Sequence, residues 1–373
     1  MIINKNRSSK RIGFIIPYLL PAAGLEILTI GLIKEFVRNG LEVDLILVNE
    51  ANEVDPNLLP GVNIINLRRN RLIKALLPIS KLIRQKKYDG MYVAMWPLTV
   101  IAVVAKLISF QPLKLIISDH NLLSFQYDYF SKLRKFLMFL SIYLFYPFAS
   151  KHVSVSEDVR RDFLENYMLG GKNLVVINNL VHLEINKNSN LITKKSDLID
   201  YEGKVILTVG RFKKQKNFEF LIQSFATLLK DQDCCLVMVG AGEELERIKS
   251  LVKEKSIESR VFFTGHQTNV SQYYEIADVF ALTSHAEGFG NVIIEALHHG
   301  IPVVSTNCPG GPKEIITQNI HGLLVNDFNY NDFAKALSRV LNGEIDFKTS
   351  ALKSRANDFT PERIGRQYLQ LIE

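Results

Sequence analysis

The feature that most constrains this chain is an end-to-end alternation of short apolar runs with helix-length segments. In the first half, Ile12–Pro17, Val43–Val48, Met91–Met95, Lys114–Ser118 and His152–Ser156 read as strands. Segments 25–39, 71–86, 98–108, 128–146 and 157–166 read as helices. The second half repeats the scheme with strands at Val205–Val209, Cys235–Val239, Val261–Thr264, Val279–Leu282 and Pro302–Ser305. Helices are expected there at 217–230, 243–254, 270–276, 290–299 and 329–341. Strands alternating with helices of this length imply parallel sheets covered on both faces. Two such sets in 373 residues imply an α/β protein of two doubly wound, Rossmann-like domains facing a central cleft. The polar stretch Glu184–Glu202 marks the boundary. Domains are therefore expected over 1–185 and 186–355. A last helix opens at Thr360-Pro361-Glu362, with proline at its first position.

Composition narrows the class. Three cysteines are too few for a disulfide framework, and Cys234 and Cys235 fall in a strand-like run, so a reducing compartment is expected. Met1–Arg11 is polar and the next apolar run is short and broken by Pro17, so no signal peptide is expected. Residues 1–190 hold 24 Lys and Arg against 15 Asp and Glu; the remainder holds 21 against 23. The whole net charge of +7 thus belongs to the first half. Such asymmetry suits either an anionic partner or a solvated, lysine-rich surface.

One helix is unusual. Fifteen uncharged residues separate Lys135 from Lys151. That is short of the ~20 needed to cross a bilayer, and Pro147 ends the run. Lys132, Arg134 and Lys135 precede it. A basic cluster beside an aromatic-rich apolar helix suits interfacial contact with an anionic membrane, and burial against the sheet is the competing explanation.

Residues able to carry chemistry lie where strands end. Glu287-Gly288-Phe289-Gly290-Asn291-Val292-Ile293-Ile294-Glu295 places two glutamates around a glycine-bearing loop that feeds a helix. A helix N-terminus offers backbone N–H groups and a positive dipole end to phosphate or a polar sugar, and carboxylates accept hydrogen bonds from hydroxyls. Gly210-Arg211-Phe212 follows a strand, with Lys216 and Asn217 opening the next helix. Arg211, expected to point inward, and Lys216 can address one diphosphate from two sides. In the first half, Gly24 opens the first helix after Ala22-Ala23; this is not the GxGxxG fingerprint, so nicotinamide binding is unsupported. Asp119-His120-Asn121 closes another strand, where a histidine can bind a sugar hydroxyl or support proton movement, although a lone histidine is more often structural.

Other patterns are set aside. Asp231-Gln232-Asp233 joins a helix to the N-terminal end of a strand, so it is expected as a turn rather than a metal-binding DxD. His298-His299 closes a helix, where a cation suits the dipole. No Cys/His spacing matches a zinc site, and no GxxxxGK[ST] loop is present.

Together Ala23-Gly24-Leu25-Glu26, Ser118-Asp119-His120-Asn121, Val209-Gly210-Arg211-Phe212 with Lys216-Asn217, Thr283–Glu295 and Cys308-Pro309-Gly310-Gly311-Pro312-Lys313-Glu314-Ile315 resemble glycosyltransferase family 4. These are retaining, metal-independent enzymes of GT-B fold. The resemblance spans nearly the whole chain and is nearest in look to bacterial enzymes that add N-acetylhexosamine or hexose to polyprenyl-diphosphate-linked oligosaccharides or surface polysaccharides. It implies that Arg211 and Lys216 hold the donor diphosphate and that Glu287 binds the transferred sugar beside the N–H groups of Phe289 and Gly290. It implies that Asn291 and Val292 offer N–H groups to phosphate and that Glu295 binds the ribose. Gly24 would approach the diphosphate and His120 the sugar, making His120, Arg211, Lys216 and Glu287 the catalytic set. Asp119, Lys132, Arg134 and Lys135 would serve the acceptor and membrane. The implied donor is a nucleotide sugar, UDP-linked, with no further cofactor, no metal and no nucleic-acid partner. The segment 356–373 would cross back to the first domain. The implied location is cytoplasmic, peripheral at the cytoplasmic face of the inner membrane. Two other functions share the architecture: a UDP-sugar 2-epimerase, and a catalytically silent sugar-nucleotide-binding partner.

Overall fold

The computed structural model describes residues 10–19, 24–49, 55–181 and 195–373. The chain divides into two compact units, Met1–His182 with Pro361–Glu373, and Leu183–Thr360.

The first unit is built on β1 (Arg11–Ile16), β2 (Glu42–Leu47), β3 (Asn63–Asn66), β4 (Gly90–Ala94), β5 (Lys114–Asp119), β6 (Lys151–Ser154) and β7 (Leu174–Val176). They form one sheet in the order β3-β2-β1-β4-β5-β6-β7, and every pairing is parallel. The second unit holds β8 (Lys204–Val209), β9 (Cys234–Val239), β10 (Val261–Gly265), β11 (Val279–Leu282), β12 (Val303–Thr306) and β13 (Gly322–Val325). Their order is β10-β9-β8-β11-β12-β13, again all parallel. In each sheet the order reverses beside the first strand, the switch point of a doubly wound fold, and ligands bind beyond the carboxyl ends of such strands. β4 and β9 are buried along their whole length, which is why they read as unbroken apolar runs.

Three strands escape the sequence pattern: β3, β7 and β13. Each is an edge strand of three or four residues with half-exposed positions, so none carries a long apolar run. The expected helix over 128–146 starts later, at Lys132, and runs to Phe145; a short helix outside that range, Leu123–Gln126, precedes it. An aromatic loop separates them, and Ser131 caps the longer one by accepting from the Arg134 N–H at 3.4 Å. A further helix, Thr349–Ala356, packs on Asn291–His298 within the second unit.

The final helix, Pro361–Gln370, belongs to the first unit, where it packs on the helix Gly24–Arg38. Ile364, Tyr368 and Ile372 are buried, and the Tyr92 hydroxyl donates to the Tyr368 carbonyl at 2.6 Å. Arg38 adds an exposed ion pair with Glu362 at 3.1 Å, worth little. The docking is therefore apolar. Tyr368→Ala is expected to lower the unfolding midpoint of the first unit, at a cost of ~3–5 kcal/mol, typical of a buried aromatic removed. The second unit's transition should stay in place; differential hydrogen exchange resolved by unit checks it.

Candidate functional site

In the second unit the carboxyl ends of β8, β11 and β12 carry three interlocked loops. After β8 comes a tight turn, Lys214–Lys216, clamped against the loop after β11. His285 N–H donates to the Gln215 carbonyl at 2.8 Å, the Gln215 side-chain amide donates to the Ala286 carbonyl at 2.7 Å, and the Thr283 hydroxyl donates to the Lys216 carbonyl at 3.1 Å. Asn217 then adopts φ +49° to start the helix Phe218–Leu228, a conformation asparagine tolerates.

This clamp sets Lys216 against Glu287. The ammonium donates to Glu287 Oε1 at 2.6 Å, and the buried Ser284 hydroxyl donates to the same oxygen at 2.5 Å. The two charged side chains are only 19% and 9% exposed. Burial of this kind is stable only when each charge keeps its partners. Glu287 is therefore a positioned acceptor.

The loop bearing Glu287 is gripped by Gly310-Gly311. Glu287 N–H donates to the Pro309 carbonyl at 2.9 Å. A Cβ on Gly310 would lie 1.7 Å from the Glu287 carbonyl oxygen, and one on Gly311 2.0 Å from that of Phe289. Only glycine permits this approach, and Gly310 also needs φ +118°. Phe289 itself is core: its ring is buried and packs on Phe359 at 5.3 Å. What it offers a ligand is backbone. Gly290, at φ +102°, hands the chain to the helix Asn291–His298, so the positive dipole end opens at Asn291 and Val292 beside Glu287.

Glu295 lies on this helix. Its Oε2 accepts from the Tyr274 hydroxyl at 2.9 Å. Burial pushes its carboxyl upward, opposed by the Tyr274 bond and the nearby Lys216. Cys308 is buried in the same region, and burial pushes its thiol up to about 12. It is inert packing.

Arg211 differs from expectation. It is exposed, and the next residue, Phe212, is fully buried in its place. Three loops zip together here: Phe212 N–H donates to the Ala241 carbonyl at 2.9 Å, Glu244 N–H to the Phe212 carbonyl at 3.0 Å, and Gly240 N–H to the Gly265 carbonyl at 2.8 Å. Among the described residues the Arg211 guanidinium makes no ion pair, so its charge is uncommitted. Asp231-Gln232-Asp233 is a turn, as expected: Asp233 meets Arg260 and the Tyr201 hydroxyl before β9. Among the described residues no three His, Cys, Asp or Glu side chains gather as a metal site.

In the first unit His120 follows β5. Its Nε2 lies 3.0 Å from the Ser118 hydroxyl and its Nδ1 3.2 Å from Asn179 Oδ1. Burial lowers its pKa below the ordinary value, opposed by Asp119, so the ring is neutral at pH 7. Gly24 is the exposed first residue of its helix; Ala22 and Ala23 lie outside the described residues. Asp119 corrects its acceptor and membrane assignment. It is 1% exposed, and Oδ2 accepts from the Tyr146 hydroxyl at 3.0 Å and faces His152 Nε2 at 3.1 Å. That side chain is a structural anchor. Lys132 and Arg134 are exposed, whereas Lys135 is paired with Asp128 at 2.6 Å.

Sequence reasoning missed Thr283, Ser284 and Gln215 as the supports of Lys216 and Glu287. Their signal was the small polar pair at the end of β11, facing a basic turn.

Two doubly wound units, one carrying a buried Lys–Glu pair at a glycine-gripped helix start, define a GT-B glycosyltransferase. The chain belongs to the family 4 glycosyltransferases: residues 22–185 match the family described as Glycosyltransferase Family 4 and residues 190–358 match Glycosyl transferases group 1. A glycosyltransferase of Haemophilus influenzae is 27% identical over 97% of this chain and 100% of its own length. Campylobacter jejuni N-acetylgalactosamine-N,N'-diacetylbacillosaminyl-diphospho-undecaprenol 4-alpha-N-acetylgalactosaminyltransferase is 29% identical over 89% of this chain and 91% of its own. Among solved structures, lipopolysaccharide outer core galactosyltransferase WaaB in its apo form has a TM-score of 0.75 at 20% identity, covering 97% of this chain and 99% of its own.

Gly310→Ala is expected to displace the Glu287 loop and reduce transfer at least ~100-fold while circular dichroism stays native. Gly343→Ala is the control: it also has positive φ, but nothing lies near its Cβ.

Proposed function

We propose that this enzyme moves a hexose or N-acetylhexosamine from a UDP-sugar to a polyprenyl-diphosphate-linked saccharide, with retention and without a metal ion. The observation that carries this is the Lys216–Glu287–Ser284 cluster at the start of the helix Asn291–His298. Glu287 accepts from hydroxyls of the transferred sugar. Lys216, with donors to spare beyond the one given to Glu287, and Arg211 meet the diphosphate. Cleavage of the glycosidic bond leaves an oxocarbenium-like sugar and new negative charge on the leaving diphosphate. Cations and helix N–H groups placed at that charge stabilise the transition state. The acceptor attacks from the leaving-group face, and the departing phosphate takes its proton. Glu295 binds the ribose, Gly24 approaches the diphosphate and neutral His120 attends the sugar. The acceptor class is supported by the diphospho-undecaprenol acceptor in the name of the Campylobacter relative.

The first unit supplies a surface for that acceptor's membrane. No helix among the described residues is long and apolar enough to span a bilayer. On the helix Lys132–Phe145 only Met138 and Ile142 are buried, while Leu133, Phe136, Leu137 and Leu144 are exposed beside Lys132 and Arg134. A second strip adjoins it through the intervening helix Leu98–Ser109: Ile73 and Leu77, exposed among Arg68, Arg69, Arg71 and Lys74. Apolar side chains rimmed by cations suit peripheral seating on anionic lipid at the cytoplasmic face.

A mass-spectrometric screen of nucleotide sugars against a lipid-extract acceptor tests the assignment. Transfer of one hexose or N-acetylhexosamine is expected. Conversion of a UDP-sugar to its epimer without acceptor would replace the reading with epimerase chemistry. Lys216→Ala or Arg211→Ala should abolish transfer in a folded protein; near-normal transfer would sink the catalytic assignment. Charge reversal at Lys132 and Arg134 should weaken sedimentation with phosphatidylglycerol vesicles, and salt should do the same. Wild-type protein that stays in the supernatant at low salt would refute the membrane surface.

A further inference from the structure

Glu295 is the second glutamate of the donor loop, and its environment is more organised than ribose binding alone needs. Tyr274, in the helix Ser271–Glu275, donates its hydroxyl to Glu295 Oε2 at 2.9 Å and sits 3.4 Å from the Val292 carbonyl. A phenol has one proton, and the shorter contact to the carboxylate takes it. Burial first, then Glu295, holds the Tyr274 hydroxyl far above its usual range, so it stays a donor. Among the described residues Oε1 of Glu295 has no hydrogen-bond partner.

The tyrosine is itself held. Its ring stacks on His299, with centroids 5.1 Å apart and planes 18° apart. His299 Nδ1 lies 2.8 Å from the Glu295 carbonyl oxygen, and Nε2 lies 2.8 Å from the Ser271 hydroxyl. A carbonyl only accepts, so Nδ1 carries a proton, while Nε2 shares a second hydrogen bond with the Ser271 hydroxyl. Ser271 and His299 thus tie the two ends of this cluster, Tyr274's own helix and the last turn of Glu295's helix.

We propose that Tyr274 is a positioning residue for the donor: it occupies one oxygen of Glu295 and turns the other toward the ribose hydroxyls of the nucleotide. The inference rests on the assignment of Glu295 to the ribose. His299 and Ser271 fix the angle of the phenol, so the carboxylate meets its ligand without first losing rotamer freedom.

The test separates the two ideas. Calorimetry compares UDP and GDP, then the 2′,3′-dideoxy form of whichever binds more tightly. Wild type is expected to prefer the ribose form by about tenfold or more, because the analogue lacks the hydroxyls that donate to the open carboxylate oxygen. In Tyr274→Phe that ratio should fall toward one while affinity for the dideoxy compound holds. No preference in wild type overturns the ribose role of Glu295. Preference in wild type that survives in Tyr274→Phe overturns the role of Tyr274 and leaves the ribose role standing. A second readout is pH. Tyr274 and Lys216 both favour the carboxylate, and His299 touches only the Glu295 backbone. Without the phenol donor the carboxyl protonates at higher pH, so the acid loss of nucleotide affinity should move upward in Tyr274→Phe; coincident profiles count against the proposal. Should Tyr274→Phe fail to fold, His299→Phe keeps a stacking ring and loses both bonds. It should at least halve the preference, and an unchanged preference overturns the proposal.

Discussion

A lysine and a glutamate buried against each other are costly unless their geometry is held, because each charge has left water. In the second unit Lys216 and Glu287 meet this condition at 2.6 Å, with Ser284 adding a second donor to the same carboxylate oxygen. The surrounding loops serve this contact. The Lys214–Lys216 turn is clamped from the side of β11, and the Glu287 loop is gripped by Gly310-Gly311, where no other residue fits. Removing one charge would strand the other. Those constraints explain why residues distant in sequence, a basic turn after β8 and a glycine pair after β12, act as one site.

The division between what was legible in the sequence and what was not follows from length and exposure. Interior strands such as β4 and β9 are buried on both faces, so their apolar runs announce themselves. β3, β7 and β13 are short edges with one side open, and their residues look like loop. Polar residues at the ends of interior strands stood out as candidates because they interrupt apolar runs, although Asp119 shows that such a group can also be structural. The same logic misjudged side-chain direction. Arg211 and Phe212 sit where the chain leaves β8, and alternation puts the phenylalanine, not the arginine, inside.

The polar triple after β5 shows why direction matters for function. Asp119, His120 and Asn121 look equivalent in sequence. Asp119 still belongs to the pleat, opposite Ser154 of β6, and its carboxylate goes under the sheet end to Tyr146 and His152. His120 has left the strand and turns to Ser118 and Asn179. One residue of offset exchanges an internal anchor for a half-buried histidine that has left the pleat, the consequence of a two-residue side-chain period.

The charge imbalance between the halves finds a physical place in the first unit. Lys132 and Arg134 flank large apolar side chains on one helix, and Arg68, Arg69, Arg71 and Lys74 flank Ile73 and Leu77. The helix Lys132–Phe145 keeps only two residues, Met138 and Ile142, in the core. Water alone gives no reason to leave Phe136, Leu137 and Leu144 outside. The proposed lipid surface would give one, since burying those side chains and neutralising the adjacent cations would act together there. On the proposed reading a polyprenyl acceptor is confined to such a surface, so seating the first unit there would replace a search in three dimensions by one in two. On the proposed reading the basic excess of residues 1–190 would serve acceptor delivery, and the donor chemistry would stay with the Lys216–Glu287 pair of the second unit.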